Sequence, residues 1–320
     1  MELLVIGTST IARNHMDAFR ENGVGFLALC GNKNIDALSR LASDFKINRV
    51  STSWKDLIDE LTPSAILVCT PPEISFQILK YISGQGISCL VEKPGITDKE
   101  QFDQLKELNL ENTFMAFNRR FYKTVQELKS HIQNSPEGHL TVEIHEIACA
   151  TNAEKSRIIL ENSIHVLDLI LFITGNINSE FDVEFAKNTN VGFEVFFKIG
   201  KIAVTLSIKF GIPGNSSVSY DSDSSRIVLK PLEKLSRFNC FDIQEPTVES
   251  PIRRYVPSWN GKIENEIVED SLNFKPGFLI QSRAFRDEIL GVQKVNELCS
   301  IDSACASLNF AFQLSELLNC

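Results

Sequence analysis

The sequence predicts an α/β protein in which a doubly wound parallel sheet is followed by a second α/β domain built on an antiparallel sheet. Within residues 1–118, short and wholly apolar strand-like runs alternate with helical patterns, as in parallel sheets that are covered on both faces. Later runs alternate apolar and polar residues and are joined by polar turns, which is typical of antiparallel strands. The chain of 320 residues is also longer than one hydrophobic core commonly serves. We therefore expect two domains, at residues 1–118 and 119–320.

In the first domain, an apolar run, a turn and a helical pattern follow one another repeatedly. Thr97 and Glu100 have the spacing of a capping box at the start of one such helix, DKEQFDQLKEL. Pro71 and Pro72 end the fourth strand, and a helical pattern follows them. The strands that we predict here are ELLVIG, GFLALCG, NRVST, SAILVCT, SCLVEKP and TFMAFN.

In the second domain, a helix at TVQELKSHIQN precedes the strands, and a very apolar helix ends at Gly175. One face of the sheet is expected to pack on helices, whereas the other is either solvated or covered by another subunit. Residues 238–274 carry charges and three prolines, and we expect irregular structure there. Helices near FLIQSRAFRDEIL and IDSACASLNFAFQLSELL complete the pattern. The strands that we predict are HLTVEIHEIACAT, FDVEFAK, GFEVFFKIG, KIAVTLSIKFG, SSVSYDS and SRIVLKPL.

Charge and apolar runs argue against several classes of protein. The formal net charge is -9 and no block of Lys and Arg occurs, so we expect neither nucleic acid nor an anionic membrane as a partner. The apolar stretch VLDLILFITG is too short to cross a bilayer, and it contains Asp168. ELLVIG leads straight into a glycine turn without a preceding basic segment, so we do not expect a secretory signal.

The eight cysteines form neither a CxxC pair nor a regular series of spacings. Several lie within apolar runs, and we interpret them as buried, reduced thiols rather than as disulfides or metal ligands. This interpretation favours a reducing, cytoplasmic environment, and we predict no metal site.

The turn after the first strand is a variant of the dinucleotide-binding (Rossmann) fingerprint. Gly7 allows a tight turn, Ser9 stands where a second glycine usually lets the backbone approach a pyrophosphate, and Ala12 is small enough for close packing. The amino terminus of the following helix favours phosphate groups. Taken alone, the stretch could also be an ordinary strand–helix turn. The predicted cofactor-binding residues of this turn are Gly7, Thr8, Ser9, Thr10, Ile11 and Ala12.

The second strand ends in CGNKN, at the place where an NAD site carries a carboxylate for the ribose 2′-hydroxyl. Gly31, Asn32 and Lys33 stand there instead. A cation and amide donors suit a 2′-phosphate, so we predict that these residues bind NADP(H) in preference to NAD(H). The alternative is a solvated loop that happens to contain a lysine.

Glu92 and Lys93 stand at the carboxyl end of a buried strand, where open α/β sheets bind their ligands. Pro94 favours an extended conformation at Lys93 and prevents a helix from starting there. Lys93 is therefore a candidate general acid or base beside a nicotinamide ring, with Glu92 orienting its ammonium or capping the backbone. Without the other motifs, the pair could be a surface ion pair.

A third group of candidates lies in ENSIHVLDLILFITG. Glu161, His165 and Asp168 have i,i+4 and i,i+3 spacings, so all three can share one face of a helix. His165 could exchange a proton with a substrate while a carboxylate orients it. A structural His–Asp pair is the alternative, since polar groups buried in an apolar helix must be paired.

Taken together and in this order, these motifs resemble the glucose–fructose oxidoreductase, inositol dehydrogenase and rhizopine-catabolism (Gfo/Idh/MocA) family of NAD(P)-dependent oxidoreductases. The resemblance implies an N-terminal Rossmann domain and a C-terminal α/β domain with an open, mostly antiparallel sheet, through which members assemble as homodimers or homotetramers. It also implies hydride transfer between a nicotinamide and a hydroxyl or carbonyl of a sugar, cyclitol or nucleotide sugar. The matching stretches are GTSTIARNH with its His15, VCTPP, VEKP, FNRRFY and IHVLDLILFITG.

The resemblance also implies roles for individual residues. Lys93 matches the usual acid–base residue of the family, and His165 matches its usual partner. Asn118 and Tyr122 could line the substrate crevice, as could Arg119, which could instead tie the two domains together. The cofactor residues that the resemblance adds are Cys69, Thr70, Pro71, Glu92 and Lys93 itself.

Departures from the family pattern leave a second hypothesis open. The glycine-rich run that often precedes the histidine is replaced by KSRIILENS, with Glu161 at the aspartate position, and Ser75 stands near the place of another frequent histidine. The first hypothesis is a dehydrogenase or reductase. The second is a dinucleotide-binding regulator of the same fold without catalysis, and a third is an enzyme whose tightly bound cofactor is recycled by a second substrate.

Overall fold

The first strand, β1 (Glu2–Ile6), is buried from its second residue onward and lies inside a parallel sheet. The chain folds as two compact units. Unit 1 comprises Met1–Phe121 and Ser271–Phe312, and unit 2 comprises Tyr122–Asp270 and Gln313–Cys320. The computed structural model of the chain describes residues 1–31, 34–176, 181–262, 266–269 and 273–319.

Strands and helices alternate along the first part of unit 1, and a short loop joins each strand to the helix that follows it. A 3-10 turn at Asn118–Phe121 follows them. The elements are β1, α1 (Thr10–Glu21), β2 (Gly25–Cys30), α2 (Ile35–Phe45), β3 (Val50–Ser51), α3 (Trp54–Leu61), β4 (Ala65–Val68), α4 (Pro72–Ile82), β5 (Ser88–Val91), α5 (Lys99–Leu105) and β6 (Thr113–Met115).

These strands stand in the order β6-β5-β4-β1-β2-β3, and every neighbouring pair in this series is parallel. The chain therefore moves outward in opposite directions on the two sides of the β1–β4 pair. Open α/β sheets bind ligands at the carboxyl ends of the strands beside such a switch. The predicted doubly wound parallel sheet is confirmed.

Two local predictions in unit 1 are wrong. Helix α3 was not expected, although Ser53 caps it by accepting a hydrogen bond from the backbone of Asp56. The capping box of Thr97 and Glu100 does not form, because Asp98 is the N-cap and accepts from the backbone of Gln101 at 2.9 Å. The hydrogen bonds that Asp98 accepts from the backbone of Gln101 and from the hydroxyl of Thr97 lower its pKa. A carboxylate is also favoured at a helix amino terminus.

Unit 2 begins with a helix, and helical segments separate its first strand from the others. A single π-helical turn, Ile159–Ser163, lies between two of its helices. The elements are α6 (Lys123–Asn134), β7 (Gly138–Glu146), α7 (Asn152–Ile158), α8 (Ile164–Thr174), β8 (Asp182–Thr189), β9 (Gly192–Ile199), β10 (Ile202–Phe210), β11 (Ser217–Asp221), β12 (Arg226–Leu229), β13 (Lys234–Phe238), β14 (Cys240–Gln244), β15 (Arg254–Ser258) and β16 (Glu266–Val268).

The main sheet of unit 2 has the order β16-β13-β12-β11-β7-β10-β9-β8. Its pairs are antiparallel except for β7 and β10, which run parallel. Along β10, buried and half-buried residues alternate over the whole length, so one face packs inward. Helix α8 is buried along almost its whole length and ends at Gly175, whose φ of 71° is left-handed, as predicted. The mostly antiparallel sheet is confirmed.

The expectation of irregular structure at residues 238–274 is wrong for three segments. Strands β14 and β15 pair with each other, and β16 pairs with β13. The side chains of Phe241, Ile243 and Tyr255 on the β14–β15 ribbon are exposed. Because apolar residues here do not mark a buried face, the usual alternation of a strand was absent from the sequence.

The last elements are α9 (Phe278–Ile289), β17 (Cys299–Ser300) and α10 (Ile301–Asn319). Strand β17 adds antiparallel to β6 and completes a seven-stranded sheet within the described residues. Helix α9 packs on α1, where the buried amide of Asn22 donates to the carbonyl of Leu279 and to the hydroxyl of Ser282. Most of the segment that follows residue 270 therefore belongs to unit 1, whereas the sequence-based boundary placed it with residues 119–320.

Among the described residues, no helix is both long enough and apolar enough to span a membrane. The seven cysteines in this part of the chain carry free thiols, and Cys320 lies outside it. Burial raises the pKa of Cys30 and of Cys305 to about 11. Cys240 is exposed, so the expectation of burial is wrong for that residue.

Candidate active site

A cavity of about 330 Å³ opens at the carboxyl ends of β1, β2 and β4 in unit 1. This is the edge of the sheet at which the strand order predicts ligand binding. The lining contains seven of the predicted cofactor residues, and Thr10, Ile11 and Ala12 form the first turn of α1 instead. The lining residues are Ile6, Gly7, Thr8, Ser9, Cys30, Gly31, Asn34, Ala37, Trp54, Cys69, Thr70, Pro71 and Ile74.

Gly7 is required by the way in which the turn after β1 approaches the end of β4. Its φ is 122°, a conformation that other residues rarely adopt. A Cβ atom at this position would lie well inside 3.0 Å of the carbonyl oxygen of Cys69. The backbone N–H of Gly7 donates to the carbonyl of Cys30 at 2.9 Å, which ties the turn to β2 as well. The turn is therefore closed around a residue without a side chain.

The amino terminus of α1 presents backbone donors beside this turn. Ser9 is the N-cap, and its Oγ accepts from the backbone of Ala12 at 3.3 Å. The first turn of the helix contains no acidic residue that would repel an anion. Helix termini of this kind bind phosphate groups through their unpaired N–H groups and the helix dipole. The residues present thus fit the pyrophosphate of a dinucleotide.

A side chain at position 31 would meet the side chain of Thr8. A Cβ atom there would lie 2.5 Å from Cγ2 of Thr8, although the backbone conformation of Gly31 itself is not left-handed. A carboxylate at this position, as an NAD site would use, therefore requires Thr8 to move. Asn32 and Lys33, which carry the prediction of a 2′-phosphate site, lie outside the described residues.

Several lining residues were missed by the sequence reasoning. Asn34 caps α2 by accepting from the backbone of Ala37, and Trp54 begins α3 directly after β3. The half-buried indole of Trp54 offers a flat apolar surface to the cavity. Its position just after a strand's carboxyl end was the available signal, but the failure to predict α3 concealed it.

The residues that follow β4, Cys69, Thr70 and Pro71, form another part of the cavity lining. Burial raises the pKa of the Cys69 thiol, and the charge of Glu92 raises it further, so this thiol stays protonated. The hydroxyls of Thr70 and Ser75 lie 2.9 Å apart, and Ser75 is completely buried. Ser75, which stands near the place of a frequent family histidine, thus holds the turn that follows β4.

Glu92 at the end of β5 is held by a buried histidine. Nε2 of His15, on α1, lies 2.8 Å from Oε1 of Glu92, and His15 is 1% exposed. The ring of His15 stacks on that of Phe278 with centroids 4.3 Å apart. Lys93 follows directly, is half-buried and precedes a cis peptide bond to Pro94. The predicted Glu92–Lys93 pair is therefore anchored through Glu92 rather than free at the surface.

The residues after β6 are fixed in part by the segment that precedes α9. Asn118 is buried, and its Nδ2 donates to the carbonyl of Pro276 at 2.9 Å. Arg119 is half-buried and belongs to unit 1, whereas the buried Tyr122 is the N-cap of α6 in unit 2. Arg120 is buried and donates to the hydroxyl of Ser303 at 3.0 Å, which is a structural contact.

The three candidates of unit 2 lie on or next to the π-helical turn. Glu161 is within it, with a side chain that is 41% exposed and lies 4.0 Å from the guanidinium of Arg157. His165 is half-buried in the first turn of α8, and Asp168, one turn later, is completely buried. The carboxylate of Asp168 therefore lies away from solvent.

A buried carboxylate that the sequence reasoning missed shapes this turn. Glu146, at the end of β7, is 7% exposed and accepts hydrogen bonds from Ser163 Oγ at 2.7 Å and Asn162 Nδ2 at 2.6 Å. These bonds satisfy both of its carboxylate oxygens. Because Glu146 is distant in sequence, helical periodicity alone gave no sign of it. π-Helical turns are rare and are frequent at functional sites.

Residues 1–118 match the family model described as "Oxidoreductase family, NAD-binding Rossmann fold" (GFO_IDH_MocA). Uncharacterized oxidoreductase YgjR of Escherichia coli (strain K12) is 23% identical over 113 residues. This match covers 35% of the chain and 34% of that protein, so about a third of the length of the curated relative is matched.

Two solved structures resemble the whole chain. A Gfo/Idh/MocA family oxidoreductase from Vibrio cholerae has a TM-score of 0.76 at 14% identity, covering 100% of this chain and 98% of that chain. UDP-N-acetylglucosamine 3-dehydrogenase GnnA from Acidithiobacillus ferrooxidans has a TM-score of 0.72 at 16% identity, covering 99% of both chains. At these identities the likeness concerns the fold alone. Residues 1–118 thus match the NAD-binding Rossmann domain of an oxidoreductase family, and over its full length the chain shares the fold of these two structures.

Proposed function

We propose that the protein is an NAD(P)-dependent dehydrogenase or reductase acting on a hydroxyl or carbonyl group of a sugar, a cyclitol or a nucleotide sugar. The observation that carries the proposal is the strand tip in which Lys93 follows the anchored Glu92, at the same sheet edge as the cavity behind Gly7. The cradle at Gly7, which a Cβ atom would fill, fits a dinucleotide. When bound, the nicotinamide would accept or donate the hydride.

Lys93 is proposed to exchange the proton of the substrate hydroxyl. Its half-buried position and its neighbour Glu92, itself held by His15, support this role. With Glu92 bound to His15, the strand tip is positioned before any ligand arrives, which is the kind of preorganisation that lowers a reaction barrier. General acid–base catalysis of this type contributes roughly a hundredfold to ten thousandfold in rate.

His165 is proposed to bind the reacting hydroxyl as the partner of Lys93. Glu161 is the proposed carboxylate that orients it, because Asp168 is completely buried and suits a structural role better. Asn118, Arg119 and Tyr122 are kept as proposed substrate-binding residues. The hydrogen bond of Asn118 to Pro276 supports a fixed position for its neighbour Arg119.

The proposed cofactor is NADP(H) in preference to NAD(H). The absence of a carboxylate at Gly31, and the need for Thr8 to move before one could fit, support this preference. The sequence positions of Asn32 and Lys33 supply donors and a positive charge for a 2′-phosphate. We further propose a cytoplasmic protein that forms a homodimer or homotetramer through the outer face of the unit 2 sheet.

A dinucleotide-binding regulator without catalysis is the second candidate. The observation that favours it is the position of Glu161, which is partly exposed and near Arg157, at the place where the family often has an aspartate. Such a protein would bind NADP(H) with wild-type affinity in every variant of Lys93 and would turn over no substrate.

The test is a cofactor titration followed by a substrate screen of sugars, cyclitols and nucleotide sugars, monitored by the absorbance of the reduced nicotinamide. Trp54 lines the cavity, so its fluorescence should report cofactor binding. We expect Lys93→Met to lower kcat by about a hundredfold or more while the Kd of NADP(H) changes little. The matched control is Lys294→Met, an exposed lysine outside the site. Turnover of Lys93→Met at a rate close to wild type would contradict the proposed role of Lys93.

A further inference from the structure

Two cationic side chains of unit 1 lie beside the anchored strand tip without a carboxylate partner of their own. Within the described part of the chain, neither Lys275 nor Arg119 has a carboxylate within salt-bridge distance. Lys275 is exposed and Arg119 is half-buried, so a ligand can reach both of them.

A series of contacts places Lys275 next to the strand tip. Its Nζ lies 5.1 Å from the centroid of the Phe278 ring, which stacks on His15 at 4.3 Å. His15 in turn lies 2.8 Å from Glu92, the residue before Lys93. Each step is a direct contact within unit 1. Lys275 is thus linked through Phe278 and His15 to Glu92, the residue that precedes the proposed acid–base residue.

A hydrogen bond joins the segment that carries Arg119 to the segment that carries Lys275. Asn118 Nδ2 donates to the carbonyl of Pro276 at 2.9 Å, and these two residues are the chain neighbours of Arg119 and Lys275. The electrostatics agree with this geometry. Packing of the ammonium against the protein lowers the pKa of Lys275, the charge of Glu92 raises it, and the positive charge of Arg119 lowers it again.

Glu92 carries a single negative charge, so it cannot by itself neutralise both cations, and its Oε1 already contacts His15. Two like charges that are held close together on fixed segments repel each other, and they are stabilised when an anion bridges them. An arginine and a lysine are the side chains that proteins use for this purpose with carboxylate and phosphate groups.

From this geometry we propose that Lys275 and Arg119 form an anion subsite that selects substrates carrying a carboxylate or phosphate group in addition to the reacting hydroxyl. The inference rests on the proposed oxidoreductase function, since it names the substrate class of that site. The anion would lie beside Lys93 and hold the substrate, while the proton and the hydride are exchanged elsewhere on the molecule. Lys275 is a specificity-determining residue in this proposal and takes no part in the chemical step.

The test measures binding, so that it does not depend on turnover. Isothermal titration calorimetry of the NADP-loaded protein at constant ionic strength would compare D-glucose with D-glucuronate and with D-glucose 6-phosphate. We expect at least one anionic probe to bind about tenfold or more tightly than glucose, as a charge-assisted hydrogen bond provides. Preference for glucuronate or for the phosphate would distinguish the two sources of the anion.

Variants then assign the preference. Lys275→Met should remove most of the advantage of the anionic probe, Arg119→Gln should reduce it, and the exposed control Lys294→Met should leave it unchanged. The Kd of NADP should be the same in all four proteins. Equal binding of the three probes by the wild type, binding of none of them, or a preference that survives in Lys275→Met would overturn the anion subsite.

The two proposals fail separately. Selective binding of an anionic probe without turnover of any substrate would contradict the oxidoreductase activity and leave the subsite standing. Turnover of neutral sugars, with no difference between neutral and anionic probes, would overturn the subsite and leave the activity standing.

Discussion

The proposed site residues of unit 1 and those of unit 2 are held in different ways. In unit 1, Gly7 lies directly under the carbonyl of Cys69, and Glu92 is bound to a fully buried His15. In unit 2, Glu161 is partly exposed within a π-helical turn. The proposed residues of unit 1 are thus positioned by contacts that the residue types themselves demand. Those of unit 2 lie in or next to a backbone irregularity.

That turn is hydrogen-bonded to Glu146, whose carboxylate accepts from both Asn162 and Ser163. A π-helical turn is wider than an α-helical one and is less stable by itself, so it persists where side chains hold it. A steric requirement at a tight turn can be recognised in a sequence motif. The contact of a helical turn with a carboxylate that is distant in sequence cannot be recognised in this way.

The largest effect is expected for Gly7→Ala in unit 1. The left-handed φ and the clash with Cys69 should together cost about 2–6 kcal/mol of unfolding free energy, and NADP(H) binding should be lost. Urea unfolding and cofactor titration measure the two effects.

Gly84→Ala is the matched control, because Gly84 has a φ of 75° but no atom within 4 Å of its Cβ position. Its cost should be only the backbone term of about 1–2 kcal/mol, with cofactor binding unchanged. If both variants lose the same stability and both still bind NADP(H), the close approach at Gly7 is not what the turn requires.

A second variant pair compares the two carboxylates of unit 2. Glu146→Gln keeps the size of the side chain but loses one of its two accepting oxygens, so we expect a loss of about 1.5–3 kcal/mol in urea unfolding. Glu161→Gln should cost less stability than Glu146→Gln, because the side chain of Glu161 is 41% exposed and its ion pair with Arg157 is long. Equal effects of the two substitutions would contradict the view that Glu146 holds the turn.

The features that could be predicted from the sequence are those that depend on residues close together in the chain. The alternation of apolar runs and helices predicted the parallel sheet, and the GTSTIA turn led to Gly7 and its neighbours, which line the cavity. Both signals are local, since each depends on residues within one strand and one turn. Trp54 was missed because α3 was not expected.

Contacts between distant segments could not be predicted in this way. His15 was noted only as part of a matching motif, and its bond to Glu92 joins residues 77 positions apart. Lys275 and Phe278 reach the strand tip because α9 returns to unit 1, and no periodicity in the sequence indicates that return. Helical spacing placed Glu161, His165 and Asp168 together without showing that Asp168 is completely buried.

A smaller effect, on cofactor preference, is expected from the contact between position 31 and Thr8 in unit 1. We expect Gly31→Asp alone to weaken binding of both cofactors, because its Cβ meets Thr8. Adding Thr8→Ala removes the atom in the way, and the double variant should favour NAD over NADP by about tenfold, through repulsion of the 2′-phosphate. The single variant Thr8→Ala is the control and should retain the wild-type preference. A double variant that still favours NADP would contradict the assignment of position 31.

The smallest expected effect concerns the packing of unit 2 away from the proposed site. His131 on α6 lies 2.9 Å from the hydroxyl of Ser225, and burial lowers its pKa below 6.5, with a further lowering by the charge of Arg237. The unfolded chain therefore binds a proton on His131 at a higher pH than the folded protein does. This contribution to stability is complete above pH 6.5 and is lost as the pH falls through the folded pKa.

We expect the urea midpoint of the wild type to fall between about pH 7.5 and pH 5.5, and to fall less in His131→Gln, whose amide can bond to Ser225 without titrating. Carboxylates with lowered pKa values, such as Glu143, stay ionised throughout this range and cancel from the comparison. Identical pH dependence in the two proteins would show that His131 is as easily protonated in the folded state as in the unfolded one.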